Sequence, residues 1–406
     1  MRKIGLLLLL VMFVLPMMLF AQENNAPFTS VEEFQSALDE VLNTSDATER
    51  ASRLDALWNR LIENNQIPLT IGTTAIFLYR GEAEHVEWRG DFTNWERRQR
   101  AVGQRQGETD LWMMTQEFPA DARFDYKIVL NRDEWILDPN NPYQQMGGFG
   151  PNSELRMPEF EPSPYVEFRE DIEHGTLTDD QTIASVRLGY SVNFRVYRPA
   201  QYDELDDLPV VYVTDGQDYA NDAMGSMVIV LDNLIAEGLI EPVMAVFIDP
   251  RDPDDSTFNR RESELITNDA YAAFIATELV PLIDVLYDTN PTPDARVIFG
   301  MSLGGLNAAF VGFNYDDVFG MVAINSPAFW VDTSIYYEYE NTDRLPLNIF
   351  MTTGCPWDTC EDARQMREIL ELQGYPLHYI EVNDGHSWGN WRRLVDDMLI
   401  YFFGVA

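Results

Sequence analysis

The sequence predicts a mostly parallel α/β sheet preceded by a small β-sandwich. Three observations point there. Between about 70 and 150 the chain runs in short strand-like stretches, AIFLYR, HVEWRG, DLWMMTQEF, FDYKIVL and EWILD, divided by Gly, Asn-Arg-Asp and Pro; that is the pattern of antiparallel strands joined by turns. Beyond about 164, continuous apolar strands alternate with helical segments, as expected of parallel strands covered on both faces. A length of 406 residues with 46% hydrophobic composition accommodates two such units, each with its own core.

Taken in order, residues 1–21 open with Arg2 and Lys3, continue as an apolar run from Ile4 to Phe20 and reach a small residue at Ala21. This reads as a secretory signal and predicts a periplasmic or secreted protein. The apolar run approaches the length of a membrane span, so an uncleaved anchor is the alternative. Over 22–66 the pattern is helical. Ser30 and Glu33 have capping-box spacing before Val31, Phe34, Leu38, Val41 and Leu42, and Asp46 can cap a second helix carrying Leu54, Leu57, Trp58, Leu61 and Ile62. Residues 67–162 hold the β-sandwich and, from Pro151 to Pro164, a proline-rich stretch that reads as a linker. From 163 to the end the α/β rhythm runs through NFRVYRP, PVVYVTDG, the helical AMGSMVIVLDNLIAEG, VMAVFID, the helical AYAAFIATELVPLIDVLY, RVIFGMS, GMVAINS and LNIFMTTG. A helix from Asp362 to Gln373, the strand LHYIEV and a last helix from Trp388 to Phe403 complete it.

Composition excludes some partners. A formal charge of −39 makes nucleic acid and anionic membranes poor partners. The two cysteines, Cys355 and Cys360, read as a small-loop disulfide in an exported chain, because a metal site would need further ligands.

Two stretches match Gly-x-Ser-x-Gly: GMSLG around Ser302 and GHSWG around Ser387. A nucleophilic serine on an α/β sheet needs a strand to deliver it, small neighbours for a sharp turn, and a helix starting at once, whose dipole favours developing negative charge. Ser302 meets all three, with Val297 to Phe299 before it, Gly300, Gly304 and Gly305 around it and LNAAFVGF after it. In such sites the order along the chain is serine, acid, histidine, and no histidine follows Ser387. Ser387 then caps the final helix. His378 falls inside a strand, whereas His386 falls in the loop after it, at the carboxyl edge where ligands bind; His386 is therefore the general-base candidate. The orienting acid should follow LNIFMTTG. Glu361 and Asp362 suit the first turn of a helix capped by Thr359, which favours Asp358, with Glu361 the alternative. Leu303, after the serine, can give one oxyanion N–H, and the loop of Asp215 and Gly216 lies on the same sheet edge to give a second.

With these residues placed, the second half resembles the enterochelin (ferric enterobactin) esterase branch of the α/β hydrolases, in the esterase D superfamily. The resemblance rests on DGQDY, VFIDPRD, the R-x-x-E-L of Arg261 to Leu265, TELVPLID, GMSLGG, NSPAFW and GHSW. It implies Ser302 as nucleophile, His386 as base, Asp358 as acid and Gln217 as the second oxyanion donor. Arg261, Glu264 and Trp330 become candidates for the substrate pocket. One spacing departs from the family: Asp358 lies four residues after Gly354, where three is usual. The stretch from GDFTNW to DPNNP resembles early-set, glycogen-binding-like (Ig-like) domains, in whose relatives exposed tryptophans stack on sugars; Trp88, Trp95, Trp112 and Trp135 are the candidates, and burial as sandwich aromatics is the commoner explanation for each. The expectation is an exported serine esterase without metal or organic cofactor. It would act on a small-molecule or glycan ester, as a siderophore esterase or, alternatively, an acetyl or feruloyl esterase of polysaccharides. The non-enzyme alternative is a glycan-binding surface protein.

Overall fold

The structure, a computed structural model, describes residues 25–405, so the signal expected over 1–21 lies outside the described residues. Among the described residues no helix is long and apolar enough to cross a membrane.

Two helices come first, α1 (Val31–Leu42) and α2 (Ala47–Glu63). Ser30 and Asp46 cap them, each side-chain oxygen accepting the N–H three residues on, at 3.1 and 2.8 Å. The expected capping box is shifted by one residue, because Glu33 reaches back to the Thr29 N–H and not to that of Ser30.

Nine short strands follow. β1 (Leu69–Ile71), β2 (Thr74–Arg80), β4 (Gln104–Arg105) and β5 (Leu111–Glu117) form one antiparallel sheet in the order β1-β2-β5-β4. A second antiparallel sheet, β3-β6-β9-β8 with β7 beside β6, comprises β3 (Val86–Gly90), β6 (Arg123–Leu130), β7 (Glu134–Ile136), β8 (Gln144–Gly147) and β9 (Gly150–Arg156). Because side chains alternate across a strand, the first sheet has two apolar faces. Ile76, Leu78 and Leu111 pack under Phe34, Leu38, Leu54 and Leu57 of the helices. Ala75, Phe77, Trp112 and Met114 instead share a core with Val86, Trp88, Phe124, Tyr126 and Ile128 of the second sheet.

One alternative is decided and one expectation corrected here. Trp88 and Trp112 are buried in that core, which removes them as platforms for sugar, while Trp135 remains exposed. Residues 150–156 form β9, hydrogen-bonded to β6 and β8, and do not form a linker. Pro151 is tolerated because it faces Met146 of β8 in the short hairpin at the sheet edge.

The remaining strands build a nine-stranded sheet: β10 (Thr176–Leu177), β11 (Gln181–Ala184), β12 (Ser191–Arg198), β13 (Val210–Val213), β14 (Met244–Asp249), β15 (Arg296–Met301), β16 (Met321–Asn325), β17 (Asn348–Gly354) and β18 (Leu377–Val382). Its order is β10-β12-β14-β13-β15-β16-β17-β18, with β11 against β12. The pairs from β14 to β18 are parallel, and those made by β10, β11 and β12 are antiparallel. The central strands are apolar on both faces. Val210, Tyr212 and Ile298 point into one core, and Val211, Val213, Val297 and Phe299 into the other.

Helices cover both faces: α3 (Gly216–Tyr219), α4 (Met227–Ala236), α5 (Arg261–Leu265), α6 (Asp269–Phe274), α7 (Val280–Leu286), α8 (Leu303–Asn314), α9 (Ser334–Asn341), α10 (Cys360–Gln373), α11 (Trp388–Arg392) and α12 (Val395–Phe403). The long helix expected over AYAAFIATELVPLIDVLY is interrupted by a π turn at Ile275–Leu279, just before Pro281, whose missing N–H cannot hold the normal ladder. The last helix is likewise two pieces. Cys355 and Cys360 are joined as a disulfide.

Candidate active site

Three loops at the carboxyl ends of β15, β17 and β18 meet. Ser302 sits between β15 and α8 with φ 55° and ψ −119°, a conformation costly for a residue with a Cβ. Its N–H donates to the Asn325 carbonyl at 2.9 Å, and its own carbonyl accepts from Ala328 at 2.9 Å, so both sides of the turn are fastened to the β16 edge. A Cβ on Gly300 would lie 2.3 Å from Thr214 Oγ1 and 2.4 Å from the Gly304 carbonyl oxygen, and one on Gly304 would lie 2.5 Å from the same hydroxyl. Backbone leaves no room for a Cβ at Gly300, and the Thr214 hydroxyl leaves none at Gly304 where it now stands.

His386 lies in the loop after β18. Its Nε2 is 2.9 Å from Ser302 Oγ and its Nδ1 is 2.6 Å from Asp358 Oδ1. The ring stands edge-on to Trp391, with centroids 4.9 Å apart. Asp358 is buried. Its second oxygen accepts from the Gly354 N–H at 2.9 Å, Asn390 Nδ2 at 3.1 Å and Ser326 Oγ at 2.5 Å. A carboxylate with both oxygens engaged in this way is fixed in orientation, and so is the imidazole tautomer that donates to it.

The four-residue spacing from Gly354 is accommodated by the disulfide-closed loop that carries Asp358. Glu361 is 91% exposed and pairs with Arg364 at 3.7 Å. Thr359 does not cap α10 with its side chain, because its hydroxyl meets that of Thr353 at 2.9 Å. His378 is stacked between Phe350 and Tyr401 on the sheet, away from Ser302. Sequence reasoning missed Asn390 and Ser326. Asn390 lies four residues after His386, one helical turn along, a spacing that could have drawn attention to it.

Leu303 is the first residue of α8, so its N–H has no intrahelical acceptor. Gln217 follows Asp215, which is left-handed at φ 51°, and Gly216, whose Cβ would lie 2.3 Å from the Ile248 amide nitrogen. That contact presses the loop onto β14. Asp215 is buried and takes the Arg261 Nε at 2.8 and 2.9 Å, so Arg261 ties α5 to this turn. Glu264, one turn on, is buried too and accepts from the Tyr190 hydroxyl at 2.9 Å; burial pushes its carboxyl up to about 7. Burial and the Asp215 charge push Asp218 up to about 6. Trp330 is 53% exposed, and its ring centroid is 6.3 Å from that of His386. The sequence brings these residues to one sheet edge, but Glu264 faces the interior while Trp330 faces solvent.

Such a chain of hydroxyl, imidazole and carboxylate can draw a proton from the hydroxyl as it bonds to an electrophilic carbon. Residues 185–402, which contain Ser302, Asp358 and His386, match the esterase family. The chain belongs to that family. Among curated proteins this esterase is 24% identical over 240 residues to an uncharacterized Bacillus subtilis protein, YjcH, covering 56% of the chain and 97% of the relative. It is 24% identical over 304 residues to an endo-1,4-beta-xylanase/feruloyl esterase of Xylanibacter ruminicola, covering 72% of the chain but only 40% of the relative. With the iron(III) enterobactin esterase of Dickeya dadantii it shares 26% over 216 residues, 48% of each chain. The chain thus spans about half or less of the length of the last two. Among solved structures, an enterobactin esterase from Shigella flexneri superposes with a TM-score of 0.68 at 21% identity, over 81% of this chain and 92% of that one. The ferric enterobactin esterase of Salmonella typhimurium gives 0.69 at 19%, over 81% and 93%. These likenesses give the fold as the α/β-hydrolase type.

Proposed function

We propose that this esterase is an exported serine hydrolase of carboxylic esters, with Ser302 as nucleophile, His386 as general base and Asp358 as the orienting acid. The observation that carries the reading is the hydrogen-bonded run from Ser302 Oγ through His386 to Asp358, on a serine held at φ 55°. Ser302 Oγ bonds to the ester carbonyl carbon while His386 Nε2 takes its proton, and the carbonyl oxygen, now negative, is met by the N–H groups of Leu303 and Gln217. The tetrahedral centre collapses with loss of the alcohol, which receives the proton from His386. Water then repeats the sequence on the acyl-enzyme, and the acid departs.

For the substrate, the reading is a small ester with aromatic groups, after the enterobactin and 2,3-dihydroxy-N-benzoyl-serine in whose presence the Shigella flexneri enterobactin esterase was crystallised. Trp330, half exposed beside His386, offers such a group a face. The N-terminal β-sheets are read as an early-set, Ig-like unit that shapes the site's surroundings. Burial of Trp88 and Trp112 weakens a sugar-tethering role for it. The match to a xylanase/feruloyl esterase favours a second reading, a feruloyl or acetyl esterase of polysaccharides. Export is supported by the N-terminal sequence pattern and by the disulfide. Hydrolysis of a catecholate trilactone, a feruloylated sugar and acetylated xylan tests the proposal. Fastest turnover of the trilactone supports it, fastest turnover of the feruloylated sugar or the xylan moves it to the second reading, and no ester turnover rejects the enzyme.

A further inference from the structure

The loop carrying His386 is gripped from the N-terminal β-sheets on both sides of the histidine. Before it, the Arg123 N–H donates to the Asn383 carbonyl at 3.0 Å, and Asn383 Nδ2 reaches Asp121 at 2.8 Å. Asp384 is buried between Arg393, at 2.9 Å, and Arg123, at 3.9 Å. After it, Arg123 Nη1 donates to Ser387 Oγ at 2.8 Å. The two glycines of the motif face the same sheets: a Cβ on Gly385 would lie 2.1 Å from Asp91 Cγ, and one on Gly389 would lie 1.9 Å from Arg123 Cζ.

The gripping side chain is itself immobilised. Arg123 is fully buried at the start of β6, with Nε on Glu154 at 2.6 Å and Nη2 on Asp125. Asp91 accepts from the Asp125 N–H at 2.8 Å and from Trp95 Nε1 at 3.0 Å. A guanidinium whose nitrogens are divided between its own sheet and the neighbouring loop acts as a rigid fork, which a lysine cannot reproduce.

We propose that Arg123 is a positioning residue for the ester hydrolysis: from the N-terminal β-sheets it sets the place of His386 relative to Ser302 and Asp358. This rests on His386 being the general base. A displacement of about 1 Å between a base and its nucleophile is worth about a hundredfold in rate, and Arg123 holds the loop on both sides of His386 from outside the nine-stranded sheet and its helices.

The test uses the full chain with Arg123→Lys, Gly389→Ala and Ser387→Ala. Gly389→Ala keeps every charge but intrudes on the guanidinium, so it reads the contact even where Arg123→Lys does not fold. A comparison variant, Leu57→Ala on the buried face of α2, lowers thermal stability far from the loop. Hydrolysis of p-nitrophenyl acetate gives kcat and KM, and the low-field proton resonance of the His386 Nδ1–H, hydrogen-bonded to Asp358, reports the geometry without turnover. The expected result is a kcat at least about tenfold lower in Arg123→Lys and Gly389→Ala, with KM within about twofold and the low-field resonance shifted or broadened. Ser387→Ala should show a smaller fall in the same direction, and Leu57→Ala an unchanged kcat. A folded Gly389→Ala with wild-type kcat and an unshifted resonance would overturn the proposal. If the wild-type chain hydrolyses no ester, the esterase reading fails, and the resonance in the same variants still decides whether Arg123 positions His386.

Discussion

The two Gly-x-Ser-x-Gly stretches have the same pattern and opposite physics. At Ser302 the glycines make room for the turn's own backbone and for Thr214, and the serine is held left-handed. At Ser387 the serine is extended, at φ −152°, and the glycines make room for Asp91 and Arg123 from a distant part of the chain. One motif builds the strained turn of the proposed nucleophile, and the other receives a neighbouring pair of sheets. The comparison teaches that a pattern of small residues reports close approach, and that only the conformation of the residue between them says whether it is an elbow.

The largest way to break the comparison is at the hydroxyls. Ser302→Ala should lower kcat on an aryl ester by on the order of 10⁴ to 10⁶, as when a triad nucleophile is removed elsewhere, whereas Ser387→Ala should lose less than about tenfold. A larger loss in Ser387→Ala than in Ser302→Ala would move the nucleophile to Ser387, and comparable losses would remove the distinction between the two motifs. The acid comes next. Asp358→Asn leaves the imidazole in the wrong tautomer and should cost on the order of 10³ to 10⁴ in kcat, while the exposed Glu361→Gln should stay within about twofold. A reversed ranking would transfer the role to Glu361.

A smaller effect separates the two causes of glycine. Gly304→Ala meets Thr214 Oγ1 at 2.5 Å and little else, its other neighbours lying at 3.5 Å or beyond. It should destabilise by about 1–3 kcal/mol, and Thr214→Ala in the same chain should recover most of that loss. Additive costs in urea unfolding would show that the hydroxyl is not what Gly304 avoids.

The smallest effect is electrostatic and belongs to the second motif. Burial, with the nearby Asp125 charge, pushes the Asp91 carboxyl beside Gly385 up to about 8. An acid whose folded pKa is raised favours the native state below its unfolded value, near 3.8, and that advantage is lost as pH rises through about 8. Between pH 6 and 9 wild type should therefore lose at least about 1 kcal/mol relative to Asp91→Asn, which keeps the size of the side chain but removes the titrating charge and, with it, one of the two acceptors. Parallel stability curves for the two proteins would remove Asp91 as a buried neutral acid.

Much of this was legible in the sequence, and the reasons are local. Ser302 could be picked out because strand, turn and helix are contiguous, and His386 because it is the histidine after the last strand. Asp358 and Glu361 could not be separated without the loop, since what distinguishes them is the contact set of Gly354, Ser326 and Asn390, drawn from three different segments. Strand β9 was hidden by Pro151 and the prolines that follow the strand, which together read as a linker until its pairing with β6 and β8 is seen. The grip of Arg123 on Ser387 joins residues 264 positions apart, and no periodicity or motif carries information over that separation.

Which serine reacts is the central point. Full-length protein treated with an aryl phosphonate, which traps a nucleophilic serine as a covalent ester, and then digested for peptide mass spectrometry, gives the answer in one spectrum. The account predicts a single adduct, on the peptide containing Ser302, abolished in Ser302→Ala and nearly eliminated in His386→Ala. An adduct on Ser387, or persistent ester hydrolysis with Ser302 unlabelled, would contradict it.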